Sequence, residues 1–202
     1  MGAMTSRVAT GADLNTVVEI LTLAFADDPV WGPTLRKPGE PADGAADFWV
    51  LWVQGALRYP WVWLWNDGEA ASVWIPPGGT EMSAGQEEAF EALAVSRLGD
   101  DAAAHLTRVM AAFDANHPHA EPHYYLSLLG THPAHRGRGA GMALLANNLA
   151  RIDGGGMAAY LESSNPANDH RYARVGFEPI GQFQLPEDGP MVTTMWRAAH
   201  RD

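Results

Sequence analysis

Apolar residues recur at helical spacing in some stretches of this chain and form short, near-continuous runs in others. Leu14, Val17, Val18, Leu21 and Phe25 fall at intervals of three and four, which predicts an amphipathic helix over 13–26. A short strand is expected before it, over 7–10. Thr10-Gly11-Ala12-Asp13 leads into the helix as a capping box, and Asp27-Asp28-Pro29 stops it because proline disfavours helix at the preceding residue. Residues 37–44 read as a loop rich in proline and glycine. Residues 47–59 are apolar nearly all round, with Phe48, Trp49, Leu51 and Trp52, and predict a buried helix ended by Pro60. Trp61-Val62-Trp63-Leu64-Trp65 and Ala71-Ser72-Val73-Trp74-Ile75 flank Asn66-Asp67-Gly68-Glu69, a hairpin signal closed by Pro76-Pro77-Gly78-Gly79.

Two more helical faces follow. Phe90, Leu93, Ala94 and Leu98 form one before Gly99, and Leu106, Val109, Met110 and Phe113 form the other before His117-Pro118. This pair, about 83–116, reads as a helical insertion between the hairpin and the remaining strands. The C-terminal part then alternates. Strands are expected over 124–131, 158–163, 177–185 and 191–196, with helices over 139–152 and 168–175. One domain spanning 1–202 is expected, mixed α/β (α+β) in class, and the chain is long enough to bury a core.

Composition narrows the chemistry. The 202 residues include no cysteine, which excludes disulfides, thiolate metal sites and a cysteine nucleophile. The formal charge is −11 and Lys37 is the one lysine. Such acidity repels phosphate backbones and argues against nucleic acid as a partner, while serving solubility and favouring a cationic small molecule. No run of about 18 apolar residues predicts a membrane span. Met1-Gly2-Ala3-Met4 has no apolar leader, so a cytoplasmic location is expected, and the second methionine suggests a natural start at Met4. His117, His119, His123, His132 and His135 include a His-x-His spacing, but no carboxylate framework accompanies them and loop histidines without a metal are expected.

The segment that carries chemistry is a strand, then Arg136-Gly137-Arg138-Gly139-Ala140-Gly141, then a helix. Its glycines allow a tight turn and close approach of a ligand. Free N–H groups at the helix start bind anions, and two arginines add charge-assisted donors, so a diphosphate-bearing ligand is indicated. The glycine spacing is not G-x-G-x-x-G, and no G-x-x-x-x-G-K-[ST] exists.

Arg136-x-x-Gly139-x-Gly141 resembles the Q/R-x-x-G-x-G/A signature of the GNAT superfamily of N-acetyltransferases. Leu129-Gly130-Thr131-His132-Pro133 resembles the strand end before that loop, with Thr131 in place of the usual branched apolar residue. Tyr172-x-Arg174-x-Gly176-Phe177 resembles the family's Y-x-R-x-G-F segment. The motif-bearing core is 123–196. Tyr125-Leu126 through Arg136, Tyr160-Leu161-Glu162-Ser163-Ser164 and Asn168-x-x-x-Tyr172 look most like the puromycin N-acetyltransferase-like members.

The resemblance implies a central twisted, mostly antiparallel sheet of six to seven strands, helices on both faces, and a V-shaped opening between strands 4 and 5. It implies acetyl-CoA as co-substrate, no metal, and an acyltransferase that acetylates an amine of a small molecule by direct attack. A protein N-terminus or lysine acceptor, or a non-catalytic acyl-CoA sensor, are the alternatives. Arg136, Gly137, Arg138, Gly139, Ala140 and Gly141 would hold the diphosphate. Leu129, Gly130 and Thr131 would pair with the pantetheine arm through a bulge expected at Gly130, and the Leu129 N–H would polarise the thioester carbonyl. Tyr172 would be the general acid, since a phenol stays protonated at neutral pH. Asn168 would cap the short helix, contact the pantetheine, or both, with Asn165 as another candidate for that contact. Glu162 is the first choice for the general base and His123 the second. Phe25, Asp28 and Trp31 would shape the acceptor pocket, an aromatic wall with a carboxylate.

Overall fold

The computed structural model describes residues 5–200; Met1 to Met4, discussed above for the chain's start, lie outside the described residues. Seven strands form one sheet: β1 (Ser6–Val8), β2 (Val62–Trp65), β3 (Ala70–Ile75), β4 (His123–Thr131), β5 (Ala158–Ser163), β6 (Glu178–Gln184) and β7 (Met191–Arg197). Their order is β1-β2-β3-β4-β5-β7-β6, antiparallel at every neighbour except β4–β5. The helices are α1 (Leu14–Ala24), α2 (Trp31–Thr34), α3 (Ala46–Ala56), α4 (Ala84–Leu98), α5 (Asp100–Asn116), α6 (Ala140–Gly154) and α7 (Asp169–Ala173).

The central strands are apolar on both faces because both are covered. Along β2, Val62 and Leu64 join Val17, Leu21, Phe48 and Val53 of α1 and α3 on one side, while Trp63 and Trp65 join Leu145 and Leu149 of α6 on the other. The continuous run 61–65 is therefore a strand buried on two sides rather than a helix fragment. The capping box at Thr10 and Asp13 is present, ahead of a 3₁₀ turn that leads into α1. Gly99, at φ 90°, separates α4 from α5. No helix among the described residues is long and apolar enough to cross a membrane. The short helix α2 was not foreseen; its four residues are too few to show a period.

The parallel pair decides where a ligand can enter. β4 and β5 are in register from His123↔Ala158 to Leu126↔Leu161 and no further, although β4 continues to Thr131 and β5 to Ser163. Beyond Leu126 the two strands splay, and the V opens there. The bulge expected at Gly130 lies elsewhere. The β3–β4 register slips between Val73 and Trp74, opposite Leu128 and Leu126, so Ser127 is the extra residue. Gly130 answers a different need: a Cβ there would lie 3.0 Å from the Ala24 Cβ and 3.2 Å from Leu21 Cδ2, where α1 crosses the strand closely.

Candidate active site

Three features converge on the splay. The first is the turn from β4 into α6. Gly137 and Gly139 take φ of 78° and 81°, with no atom near the position of a Cβ, so the loop bulges into open space. Gly141 faces the other way; a Cβ there would lie 2.5 Å from Thr131 Oγ1, so its glycine seats α6 against the end of β4. Among the described residues, no N–H from Gly137 to Met142 donates to a backbone or side-chain acceptor. Arg136 donates to the Ala24 carbonyl at 3.1 Å, which fixes its side chain beside the loop, and Arg138 is exposed. Six consecutive free donors at a helix start, flanked by two guanidinium groups, suit a diphosphate.

The second is a narrow cleft of about 50 Å³ inside the V, bordered by Ser127, Leu129, Glu162, Asn165, Asn168 and Tyr172, with Phe25, Asp28 and Trp31 on its wall. His132 donates to the Glu69 carbonyl at 2.9 Å on the β3 side. Backbone groups alternate along a strand, so the N–H groups of Leu128 and Gly130 also face β3, whereas those of Leu129 and Thr131 point into the gap that β5 has left. Burial pushes the Tyr172 phenol up to about 12, with Asp28 and Asp169 adding to the shift. Asn168 makes no side-chain cap for α7; Asn165 caps the preceding 3₁₀ turn instead, accepting from the Ala167 N–H at 3.1 Å.

Phe25, Asp28 and Trp31 are drawn together here, beside Tyr172. Asp28 Oδ1 accepts from the N–H groups of Val30 and Trp31 at 2.9 and 3.0 Å, and Oδ2 from the Ser164 hydroxyl at 2.7 Å. This carboxylate therefore ties α2 to the end of β5, and burial raises its pKa. Trp31 is buried, stacked on Phe113 at 5.3 Å and edge-on to Trp52 at 5.4 Å.

The third is a wide cleft of about 990 Å³ under α4 and α5. Its apolar wall includes Met82, Phe90, Leu106, Met110 and Phe113. Its polar groups include six carboxylates (Glu81, Glu87, Glu91, Asp114, Glu121 and Glu162) and neither arginine nor lysine. Glu162 borders both clefts and joins them. Its side chain is 2% exposed. Tyr125 donates to Oε2 at 2.7 Å, Tyr160 to Oε1 at 2.9 Å, and His117 Nδ1 lies 3.6 Å away. His123 is one step farther out, with its Nε2 3.3 Å from His117 Nε2 and its pKa lowered by burial. Among the described residues no group of three or more His, Asp or Glu side chains is placed to hold a metal.

Sequence reasoning missed Glu81. It is desolvated beneath the wide cleft, and its Oε1 accepts from Ser127 and, at 3.1 Å, from Trp52 Nε1. It also missed Tyr125 and Tyr160, although Tyr160 and Glu162 share a strand face by alternation and Tyr125 pairs with Tyr160 across the parallel edge.

Residues 62–177 match the model of the Acetyltransferase (GNAT) family. The chain belongs to the GNAT family of acetyltransferases. It is an acyltransferase, and enzymes of this family use acetyl-CoA as co-substrate. Solved GNAT-like structures agree over nearly the whole chain. A Corynebacterium glutamicum protein described as histone acetyltransferase HPA2 and related acetyltransferase superposes with a TM-score of 0.70 at 25% identity, covering 100% of this chain and 99% of that one. The Drosophila melanogaster polyamine N-acetyltransferase gives 0.62 at 17% identity, covering 96% and 99%. Arylalkylamine N-acetyltransferase 2 from Aedes aegypti gives 0.66 at 12% identity, covering 98% and 100%. At such identities the last two speak for the shared fold.

Proposed function

We propose that this enzyme moves the acetyl group of acetyl-CoA to the amine of a small molecule by direct attack. The observation that carries this reading is the meeting of a narrow cleft with free backbone donors and a wide anionic cleft at one buried carboxylate, Glu162. Acetyl-CoA would supply an activated acyl thioester and a diphosphate handle. The chain's own groups supply the rest. The N–H groups of 137–142 with Arg136 and Arg138 hold the diphosphate. The N–H groups of Leu129 and Thr131 pair with the pantetheine arm, Gly130 lets α1 close over that strand, and the Leu129 N–H polarises the carbonyl. Asn168 borders the same arm. Tyr172, protonated at neutral pH, gives its proton to the departing thiolate. Glu162 holds the ammonium end of the acceptor at the junction, while the Met and Phe side chains of the wide cleft take its apolar part.

The small-molecule acceptor is supported by the roof that α4 and α5 place over the wide cleft, and by amine acetyltransferases among the fold relatives. Within the family we place the chain nearest the puromycin N-acetyltransferase-like members, on 160–164 and on Asn168 with Tyr172. A peptide acceptor is the second reading, favoured by the description of the Corynebacterium protein. A thiol-release assay with acetyl-CoA and a panel of spermidine, agmatine, tryptamine, puromycin and a lysine-bearing histone-tail peptide tests it. Release is expected with at least one small amine and not with the peptide. Coenzyme binding without release by any of them would establish a binding module instead.

A further inference from the structure

We infer that Glu81, in the segment between β3 and α4, is the general base that takes the proton of the acceptor's ammonium group, leaving Glu162 as the fixed charge that holds it. The inference rests on the acetyl transfer proposed above. Two carboxylates face one cleft, and their surroundings divide the work. Each Glu162 oxygen accepts from a phenol, at 2.7 and 2.9 Å, which pins the carboxylate in place and leaves one lone pair on each oxygen for an ammonium N–H. Glu81 is engaged on one side only. Ser127 and Trp52 donate to its Oε1, and among the described residues Oε2 has no hydrogen-bond partner.

Position agrees with chemistry. Ser127 is the residue that the β4 bulge inserts, it borders the narrow cleft, and Glu81 touches it from the wide cleft. Glu81 therefore reaches the place where the clefts meet. It is held there by α3, since a Cβ on Gly55 would lie 2.2 Å from the Glu81 carbonyl oxygen. The titratable groups that face it are Glu162 from β5 and His117 after α5. Burial, aided by Glu162 and opposed by Ser127, Trp52 and His117, lifts its pKa to about 7, the range in which a base is both free and strong enough at neutral pH.

The protons balance. An ammonium acceptor gives up two on becoming an amide. The first goes to Glu81 and then to solvent, freeing the nitrogen lone pair to form the C–N bond. The C–S bond breaks with its electron pair on sulfur, which takes the Tyr172 proton. Tyr172 recovers a proton from the acylated nitrogen.

The test compares wild type and Glu81→Gln with two probes, tryptamine, an ammonium at pH 7.5, and 2,2,2-trifluoroethylamine, a weak base already neutral there. Glutamine keeps the shape and an acceptor for Ser127, and coenzyme A affinity by calorimetry reports an intact fold. We expect kcat/KM for tryptamine to fall about 10²- to 10⁴-fold and to lose its acid limb near pH 7, with trifluoroethylamine changed far less. Equal rates in the two proteins, or equal losses with both amines, would overturn the assignment alone. Where another ammonium of the panel above is the one accepted, it takes tryptamine's place; a wild type that releases thiol with none of these amines would overturn the acetyl-transfer reading and this assignment with it.

Discussion

At the residue scale, the site depends on groups whose surroundings move them from their ordinary behaviour. Glu81 is the clearest. Its carboxyl holds a proton in the folded state up to about pH 7, whereas the unfolded chain releases it near 4.5. The raised value means that folding is favoured at low pH and that this advantage is lost as pH climbs between those two values. The loss is on the order of 3 kcal/mol at most. Denaturant titrations from pH 4.5 to 8 should show that decline in wild type and a shallower one in Glu81→Gln; identical slopes would contradict the burial of this carboxyl. The strand that carries Glu162 was legible in the sequence, but alternation alone leaves its face open, and the Tyr125 and Tyr160 hydroxyls that turn it inward come from the parallel pairing of β4 with β5. Glu81 was not legible. It follows a Pro-Gly segment with no period, and its place is fixed by Gly55 on α3 and Ser127 on β4, contacts that no local pattern encodes.

At the element scale, most of the architecture could be read from the chain. The hairpin, the α4–α5 pair, the 158–163 strand and the glycine-rich turn into α6 stand where periodicity and breakers put them. Irregularities were harder, because a glycine has several uses. Gly130 suggested a bulge, yet the register slips at Ser127 and Gly130 serves the close crossing of α1. Gly130→Ala should therefore act by overpacking, costing about 1–3 kcal/mol of stability with a displaced α1. A thermal melt checks this, and an unchanged midpoint would show that α1 can move away without cost. Asn168 likewise suited a helix cap by sequence, but Asn165 fills that role one turn earlier.

At the scale of the whole molecule, charge and shape act together. The net charge of −11 is a bulk property, and the fold concentrates part of it in a cleft with six carboxylates and no arginine or lysine. A cationic acceptor should be steered there, so kcat/KM for spermidine should fall several-fold between about 20 and 300 mM salt, while that for an uncharged amine stays nearly constant. The same salt response for both would remove the cleft's charge from the account. The sheet order and the parting of β4 from β5 after Leu126 place the glycine-rich turn, Tyr172 and the acidic cleft around one opening. The most direct measurement of that arrangement is the turnover of Tyr172→Phe beside its coenzyme A affinity by calorimetry. Proton donation by Tyr172 predicts a fall in kcat of about 10²- to 10⁴-fold with unchanged affinity. Wild-type turnover in the variant would contradict it.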